Sequence, residues 1–185
     1  VDSENILGLL DHFKYDVTPN IEEAEILIIN TCGFIADSKK ESIDTILEFV
    51  DSNKILVVTG CLVERYYEDL KKELPEVDLF IPIRDYYRFN ELLSSLDENL
   101  NDNSGLSYSY RMISTGHYSA YLKISDGCSN RCSYCAIPLI RGKNRSVPIN
   151  TLVKQAKELG IETIITDHQL RQYMRIILIE ELEKM

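Results

Sequence analysis

Glu25-Ile26-Leu27-Ile28-Ile29-Asn30 is the stretch that decides the fold. Its apolar residues are consecutive and do not alternate with polar ones, the mark of a strand covered on both faces. Lys54 to Thr59 repeats the pattern around Ile55-Leu56-Val57-Val58, and Val77 to Ile81 gives a third strand. Helical segments lie between and around them. Ser3 to Phe13 offers Ile6, Leu7, Leu9 and Leu10 to one face. Ser38-Lys39-Lys40-Glu41 reads as a capping box, with Ile43, Ile46, Leu47 and Val50 following at helical spacing. Glu64 to Leu74 is a charged helix closed by Pro75, and Tyr87 to Leu96 is a further helix after the third strand. Strands alternating with helices predict an α/β fold with a parallel sheet and right-handed crossovers.

The pattern changes near residue 97. Asp97 to Ser109 is built of Asp, Asn, Ser and Gly with little that is apolar, and reads as a linker. The expected division is residues 1–100, a connection over 101–117, and a second unit over 118–185. In the second unit a strand is expected at Ser119 to Ile124 and a helix from Ile149 to Leu159, stopped by Gly160. Another strand is expected at Ile161 to Thr166. Asp167-His168-Gln169-Leu170 does not continue that strand, and Met174 to Met185 reads as a piece of another helix.

With 185 residues, 44% of them hydrophobic, the chain can fill one good core or two small ones. Its longest apolar runs are strand-sized, far short of the roughly 20 residues that span a bilayer. Val1-Asp2-Ser3-Glu4-Asn5 has no basic region of the kind that opens a signal peptide, so a cytoplasmic protein with no membrane partner is expected. The net charge of −10 is uneven: residues 1–105 hold 9 Lys/Arg against 23 Asp/Glu, a net −14, and residues 106–185 hold 11 against 7, a net +4. An acidic half suits a basic partner and disfavours direct contact with nucleic acid, although a solvated acidic surface looks the same.

Five cysteines is an odd number, and three of them, Cys128, Cys132 and Cys135, fall within eight residues. That is too tight for a simple disulfide framework and suits metal binding in a reducing compartment. Their spacing is Cys-x3-Cys-x2-Cys, directly after an expected strand, in a loop rich in Gly, Ser and Asn. Thiolates are the ligands that iron–sulfur clusters require, and three of them leave one iron of a cubane open. A structural zinc site would call for paired Cys-x2-Cys units and a fourth ligand, whereas His12, His117 and His168 are scattered. His168 reads as structural. Cys32 and Cys61 each follow an expected strand, behind short turns at Asn30-Thr31 and Thr59-Gly60. In a parallel sheet both lie at the carboxyl edge, where open α/β folds bind ligands, although small buried thiols are also common in cores.

Cys128 to Cys135, with Tyr134 as the aromatic before the last cysteine, resembles the signature of radical S-adenosylmethionine enzymes. Asn30-Thr31-Cys32-Gly33-Phe34-Ile35 and Thr59-Gly60-Cys61-Leu62-Val63-Glu64-Arg65-Tyr66 resemble the N-terminal domain of the methylthiotransferases within that group. The resemblance implies two four-iron four-sulfur clusters and use of S-adenosylmethionine. One cluster would be bound by Cys128, Cys132 and Cys135. The auxiliary one would be bound by Cys32, Cys61 and a third cysteine just upstream of the Val1-Asp2-Ser3-Glu4 sequence. It implies that residues 1–100 are the methylthiotransferase domain and that 118–185 begin a radical-enzyme partial (β/α) barrel, with Asp167 to Met185 as fragments of its later part.

Within the family, Cys32-Gly33-Phe34-Ile35, Glu41 to Ile46, Gly60-Cys61-Leu62, Pro75-Glu76-Val77-Asp78, Tyr121 to Cys128 and Cys135-Ala136-Ile137-Pro138 resemble the RimO type. That type adds a methylthio group to the β-carbon of an aspartate of small-subunit ribosomal protein twelve. The alternative is the MiaB type, which acts on transfer-RNA adenosine and typically has an Arg where this chain has Phe34-Ile35. A non-catalytic electron carrier or redox sensor is the alternative from another class. The resemblance also implies a low-potential electron donor such as flavodoxin or ferredoxin. Arg141 and Arg145, in the basic run Arg141 to Ser146, could neutralise the cluster or meet the cofactor carboxylate, or could be a solvated loop. Tyr134 would pack beside the cluster and the adenine, or be ordinary core.

Overall fold

The computed structural model describes residues 1–13, 15–96, 111–114 and 120–160, together with the strands Thr163–Ile165 and Ile176–Leu178. The expected linker at Asp97 to Ser109 lies outside the described residues.

The fold is α/β. Three strands, β1 (Ile26–Thr31), β2 (Ile55–Gly60) and β3 (Leu79–Pro82), form a parallel sheet in the order β1-β2-β3. Ile26 stands opposite Ile55 and Thr31 opposite Gly60, so β1 and β2 end level with each other. The central strand explains the consecutive apolar run. Leu56 and Val58 enter one core with Ile46, Leu62, Val63, Leu70 and Phe80. Val57 points the other way, into a core with Ile6, Leu9, Leu10, Ile81, Phe89 and Leu93. Successive strand residues face opposite sides. Helices α2 (Ala36–Phe49) and α3 (Cys61–Glu73) cover one face, and α1 (Asp2–His12) and α4 (Phe89–Ser94) the other.

Several boundaries differ from the sequence expectation. No capping box forms at Ser38. The chain arrives extended at Ile35 and α2 starts at Ala36, so Ser38 is already inside the first turn, where Lys39 N–H bonds to Ile35 O at 3.1 Å. Helix α3 begins three residues early, with Cys61 as its first residue. Strand β3 begins two residues late, because Asp78 turns its carboxylate on the edge of β2 and accepts from Leu56 N–H at 2.7 Å. The expected helix at Tyr87 is preceded by a 3-10 turn over Ile83–Arg88 and starts at Phe89.

Beyond the sheet, residues 120–124 are not a strand, and Ser119 lies outside the described residues. Pairing is confined to β4 (Ser125–Asp126) with β5 (Arg145–Ser146), antiparallel, because the chain folds back there through Val147 N–H to Ile124 O at 2.9 Å. A short helix, α5 (Ile137–Ile140), follows the cysteines. Helix α6 (Ile149–Glu158) ends as expected, with Gly160 in the left-handed region. Strand β6 (Thr163–Ile165) pairs antiparallel with β7 (Ile176–Leu178). Ile176–Leu178 is thus a strand where a helix was expected, since Ile-Ile-Leu finds Thr163–Ile165 as its partner.

Segment 111–114 is held to the sheet unit through Glu4. Both Glu4 and Arg111 are buried, at 3% and 5% exposure. Arg111 donates through Nε and Nη2 to Glu4 Oε2 at 3.0 and 2.6 Å, and Ser114 donates through its N–H and hydroxyl to Oε1. Burial works against ionisation of Glu4, but the Ser114 and Arg111 bonds override it and hold the carboxyl at about 2. A depressed carboxylate stabilises the fold fully above its ordinary value of 4.5, and that contribution is lost as pH falls from there to about 2. Glu4→Gln, which leaves Arg111 buried without its counter-charge, is expected to cost about 3–5 kcal/mol at neutral pH. Urea denaturation at stepped pH should show the parent losing stability more steeply than the variant between pH 4.5 and 2.

Candidate metal centre

The level ends of β1 and β2 place Cys32 and Cys61 side by side, because Thr31 and Gly60 are register partners and each is followed directly by a cysteine. The strands run straight to those residues, so the expected turns at Asn30-Thr31 and Thr59-Gly60 do not form. Hydroxyls lock this edge. Thr31 Oγ1 donates to Thr59 O at 2.5 Å and Thr59 Oγ1 to Ile81 O at 2.7 Å, with the Tyr86 hydroxyl hydrogen-bonded to Thr59 at 3.0 Å. Burial pushes the Tyr86 phenol up to about 12, so it stays a neutral prop. Ser42, on α2, clamps Cys32 by accepting from its N–H at 3.0 Å and donating to its carbonyl at 3.2 Å. Arg65 donates to Gly33 O at 3.2 Å. No sequence motif pointed to Ser42; only the packing of α2 on β1 brings it there.

Two glycines permit the arrangement. Gly60 has φ +102°, and a Cβ there would lie 2.4 Å from Thr31 O. A Cβ on Gly33 would lie 2.8 Å from Leu62 N and 2.9 Å from Cys61 O. The Cys32-Gly33 segment therefore rests on the first turn of α3. Cys32 is exposed and Cys61 buried, so the reading of small core thiols survives for Cys61 alone. Burial raises the Cys61 thiol, although the Arg141 guanidinium draws it down.

Cys128, Cys132 and Cys135 lie on an open loop. Cys128 N–H bonds to Gly142 O at 3.0 Å and Cys135 N–H to Cys132 O at 3.1 Å, and Cys132 is exposed. Tyr134 is 90% exposed, which removes the core alternative for it. Among the described residues, no three Cys, His, Asp or Glu side chains are already gathered as an ion site. None of the five is tied up in a disulfide, and thiolate is the donor type that iron–sulfur clusters take, so the residues fit such a group by donor chemistry, with Cys32 and Cys132 exposed to it.

Residues adjoining both cysteine groups line one cleft of about 410 Å³, although none of the cysteines itself lines it. Phe34, next to the Cys32-Gly33 pair, forms one wall; Gly127, next to Cys128, and Ile137, just after Cys135, form the other. Asp2 sits between them. Lys123 Nζ reaches Asp2 Oδ1 at 2.9 Å and Asp126 Oδ2 at 3.0 Å, and Arg141 Nη1 reaches Asp2 Oδ2 at 2.6 Å. Burial alone would raise the Asp2 carboxyl, but these two cations hold it below its ordinary value. Arg141 Nη2 then donates to Cys61 Sγ at 3.1 Å. Arg145 stands on β5 opposite Asp126 and lines a larger cavity of about 850 Å³ with Tyr86, Tyr87 and Lys143.

A family model described as "Uncharacterized protein family UPF0004" matches residues 1–82. The curated relatives are more specific. The "Ribosomal protein uS12 methylthiotransferase RimO" of Geotalea uraniireducens (strain Rf4) is 47% identical over 172 residues, covering 86% of this chain and 38% of the relative. Most of this chain is thus similar to proteins that carry the RimO methylthiotransferase name. The RimO protein of Sulfurihydrogenibium sp. (strain YO3AOP1) is 49% identical over 164 residues, covering 86% of this chain and 36% of that one. That of Aquifex aeolicus (strain VF5) is 44% identical across the whole of this chain and 44% of its own length. The chain thus spans about two-fifths of the length of the RimO relatives it matches.

Replacing Gly60 by Ala is expected to part the two strand ends, since the new Cβ meets backbone and not a flexible side-chain tip. Loss of more than about 1 kcal/mol in chemical denaturation is the expected result, with Ser42→Ala milder than Gly60→Ala.

Proposed function

We propose that this chain is the N-terminal part of an enzyme that transfers a methylthio group to the β-carbon of an aspartate in small-subunit ribosomal protein twelve. Residues 1–100 form the methylthiotransferase unit and 118–185 the opening of the radical S-adenosylmethionine unit. Cys128, Cys132 and Cys135 hold one four-iron four-sulfur cluster. Cys32 and Cys61, with a cysteine upstream of Val1, hold the other. The observation that supports this most directly is that neighbours of both cysteine groups, Phe34 on one side and Gly127 and Ile137 on the other, line one cleft. Two reaction centres that must act on one carbon atom need such an arrangement, because the group activated at one has to be quenched by the other before solvent intervenes.

Cys128, Cys132 and Cys135 would hold a cluster that, when bound, would supply the single electron for reductive cleavage of S-adenosylmethionine into methionine and a 5′-deoxyadenosyl radical. An unactivated C–H bond offers no proton that a side-chain base could readily take, which is why radical chemistry is invoked over general base catalysis. The chain's own residues position and shield. Cys128 is pinned through Gly142, Cys32 through Ser42, and Lys123, Asp2 and Arg141 hold the cleft walls together. Tyr134, as the aromatic of the motif, and Arg145, by its charge, belong to the cofactor environment; the exposure of Tyr134 leaves it free to cover an adenine. A low-potential carrier such as flavodoxin or ferredoxin supplies the electrons, and the protein works in the cytoplasm beside its ribosomal substrate. Among the described residues no helix is long and apolar enough to cross a membrane.

The relatives reported above carry the ribosomal-protein name, so the transfer-RNA alternative is not favoured. The test uses the full-length protein. Ribosomal protein twelve from cells with the native gene should be heavier by one methylthio substitution than that from cells lacking it, and Cys132→Ala should behave as the deletion. An unchanged mass, with methylthio-adenosine lost from transfer RNA, would reassign the substrate.

A further inference from the structure

Arg141 follows the Cys-x3-Cys-x2-Cys loop by six residues, and sequence order assigns it to that loop. Its side chain goes elsewhere. From the C-terminal end of α5 the guanidinium crosses the cleft and uses its two Nη groups on different partners, Asp2 Oδ2 at 2.6 Å and Cys61 Sγ at 3.1 Å. It is 15% exposed, and Asp2 and Lys123 are each 17% exposed, so these charges act on one another with little screening. The charged groups packed around it come from every neighbouring element: Asp2 on α1, Cys61 on α3, and Asp126 on β4, 3.7 Å away. Asp126 also accepts from Gly127 N–H at 3.0 Å, immediately before Cys128.

We propose that Arg141 is a positioning residue for the Cys32/Cys61 site, setting the reduction potential of the cluster held there through its bond to the Cys61 sulfur, with Asp2 as the counter-charge that moderates it. This rests on the reading that Cys61 is a cluster ligand. Hydrogen bonds to ligand sulfur and nearby net charge are main determinants of iron–sulfur potentials. The reduced cluster carries one more negative charge than the oxidised one, so a fixed cation on Sγ favours reduction. The same cation is anchored, through Asp2, Lys123 and Asp126, to the turn that begins the other cysteine loop. The segment carrying the radical-enzyme cysteines therefore tunes the site opposite it.

The experiment uses the full-length protein with Cys128, Cys132 and Cys135 replaced by Ala, loaded anaerobically with iron and sulfide and titrated by EPR. Arg141→Gln is expected to shift the midpoint to more negative potential, and Asp2→Asn to shift it to more positive potential. Arg141→Lys should fall between Arg141→Gln and the parent. Opposite signs from two partners of one ion pair are not what a general loosening of structure gives. An unchanged midpoint in Arg141→Gln, with the cluster present, overturns the proposal. If Arg141→Gln takes up no iron, the sign of the Asp2→Asn shift decides. If the triple variant does not load, the comparison is made with all native cysteines on the signal that Cys61→Ala abolishes. Should Cys61→Ala abolish no signal and lose no iron, the ligand assignment itself fails, a result distinct from an unmoved potential.

Discussion

The Asp2 carboxylate, held between Lys123 and Arg141, is the contact on which the rest of the site depends. It stands at the start of α1, packed on one face of the parallel sheet, and both cations belong to the stretch that flanks the cysteine loop. Removing one partner of such a cluster leaves charge stranded in a poorly solvated place, whereas the intact cluster gains little net energy over apolar packing. Its role is therefore geometric. The placement of the segment around the cysteine loop is the one in which Lys123 and Arg141 each reach both Asp2 and Asp126. That placement brings Phe34, Gly127 and Ile137, each a near neighbour of a cysteine, to one cleft.

The sheet supplies the complementary constraint. Parallel strands that end level, tied by Thr31 and Thr59 hydroxyls, deliver Cys32 and Cys61 to adjacent positions at the carboxyl edge. Gly60 makes the abrupt entry into α3 possible, because no other residue could take its conformation so close to Thr31 O. Ser42 then fixes the exposed cysteine through its backbone, leaving the thiol itself unencumbered. The two walls of the cleft are thus built by different means, one by strand register and one by paired charges.

Much of this was legible in the sequence. Consecutive apolar residues at 26–29 and 55–58 announced a doubly covered parallel sheet, and the core assignments of Leu56, Val57 and Val58 to opposite faces show why. Helix α6 and its stop at Gly160 followed from periodicity and a residue suited to positive φ. What failed were features decided by long-range contacts. The Ser38 capping box had the right residues, but the extended approach at Ile35 started the helix upstream. The strand expected at 119–124 is not formed over 120–124, and pairing begins only beyond it, at Ser125–Asp126 with the two-residue β5. Ile176–Leu178 changed type for lack of any local signal of its antiparallel partner. In the site, cysteine spacing revealed the candidate ligands. Nothing in the order of residues showed that Arg141 would reach Cys61, 80 positions back in the chain, or that Ser42 would clamp Cys32.

The segments that carry the two cysteine groups meet at one cleft, which brings the two centres close enough to interact. That closeness is tested most directly by the EPR spectrum of the full-length protein with both clusters loaded and fully reduced. Mutual broadening and splitting, absent from variants that keep only one cysteine group, is the expected result. A spectrum equal to the sum of the two single-group spectra would contradict it, and would separate the sites that the Asp2 contact is held to join.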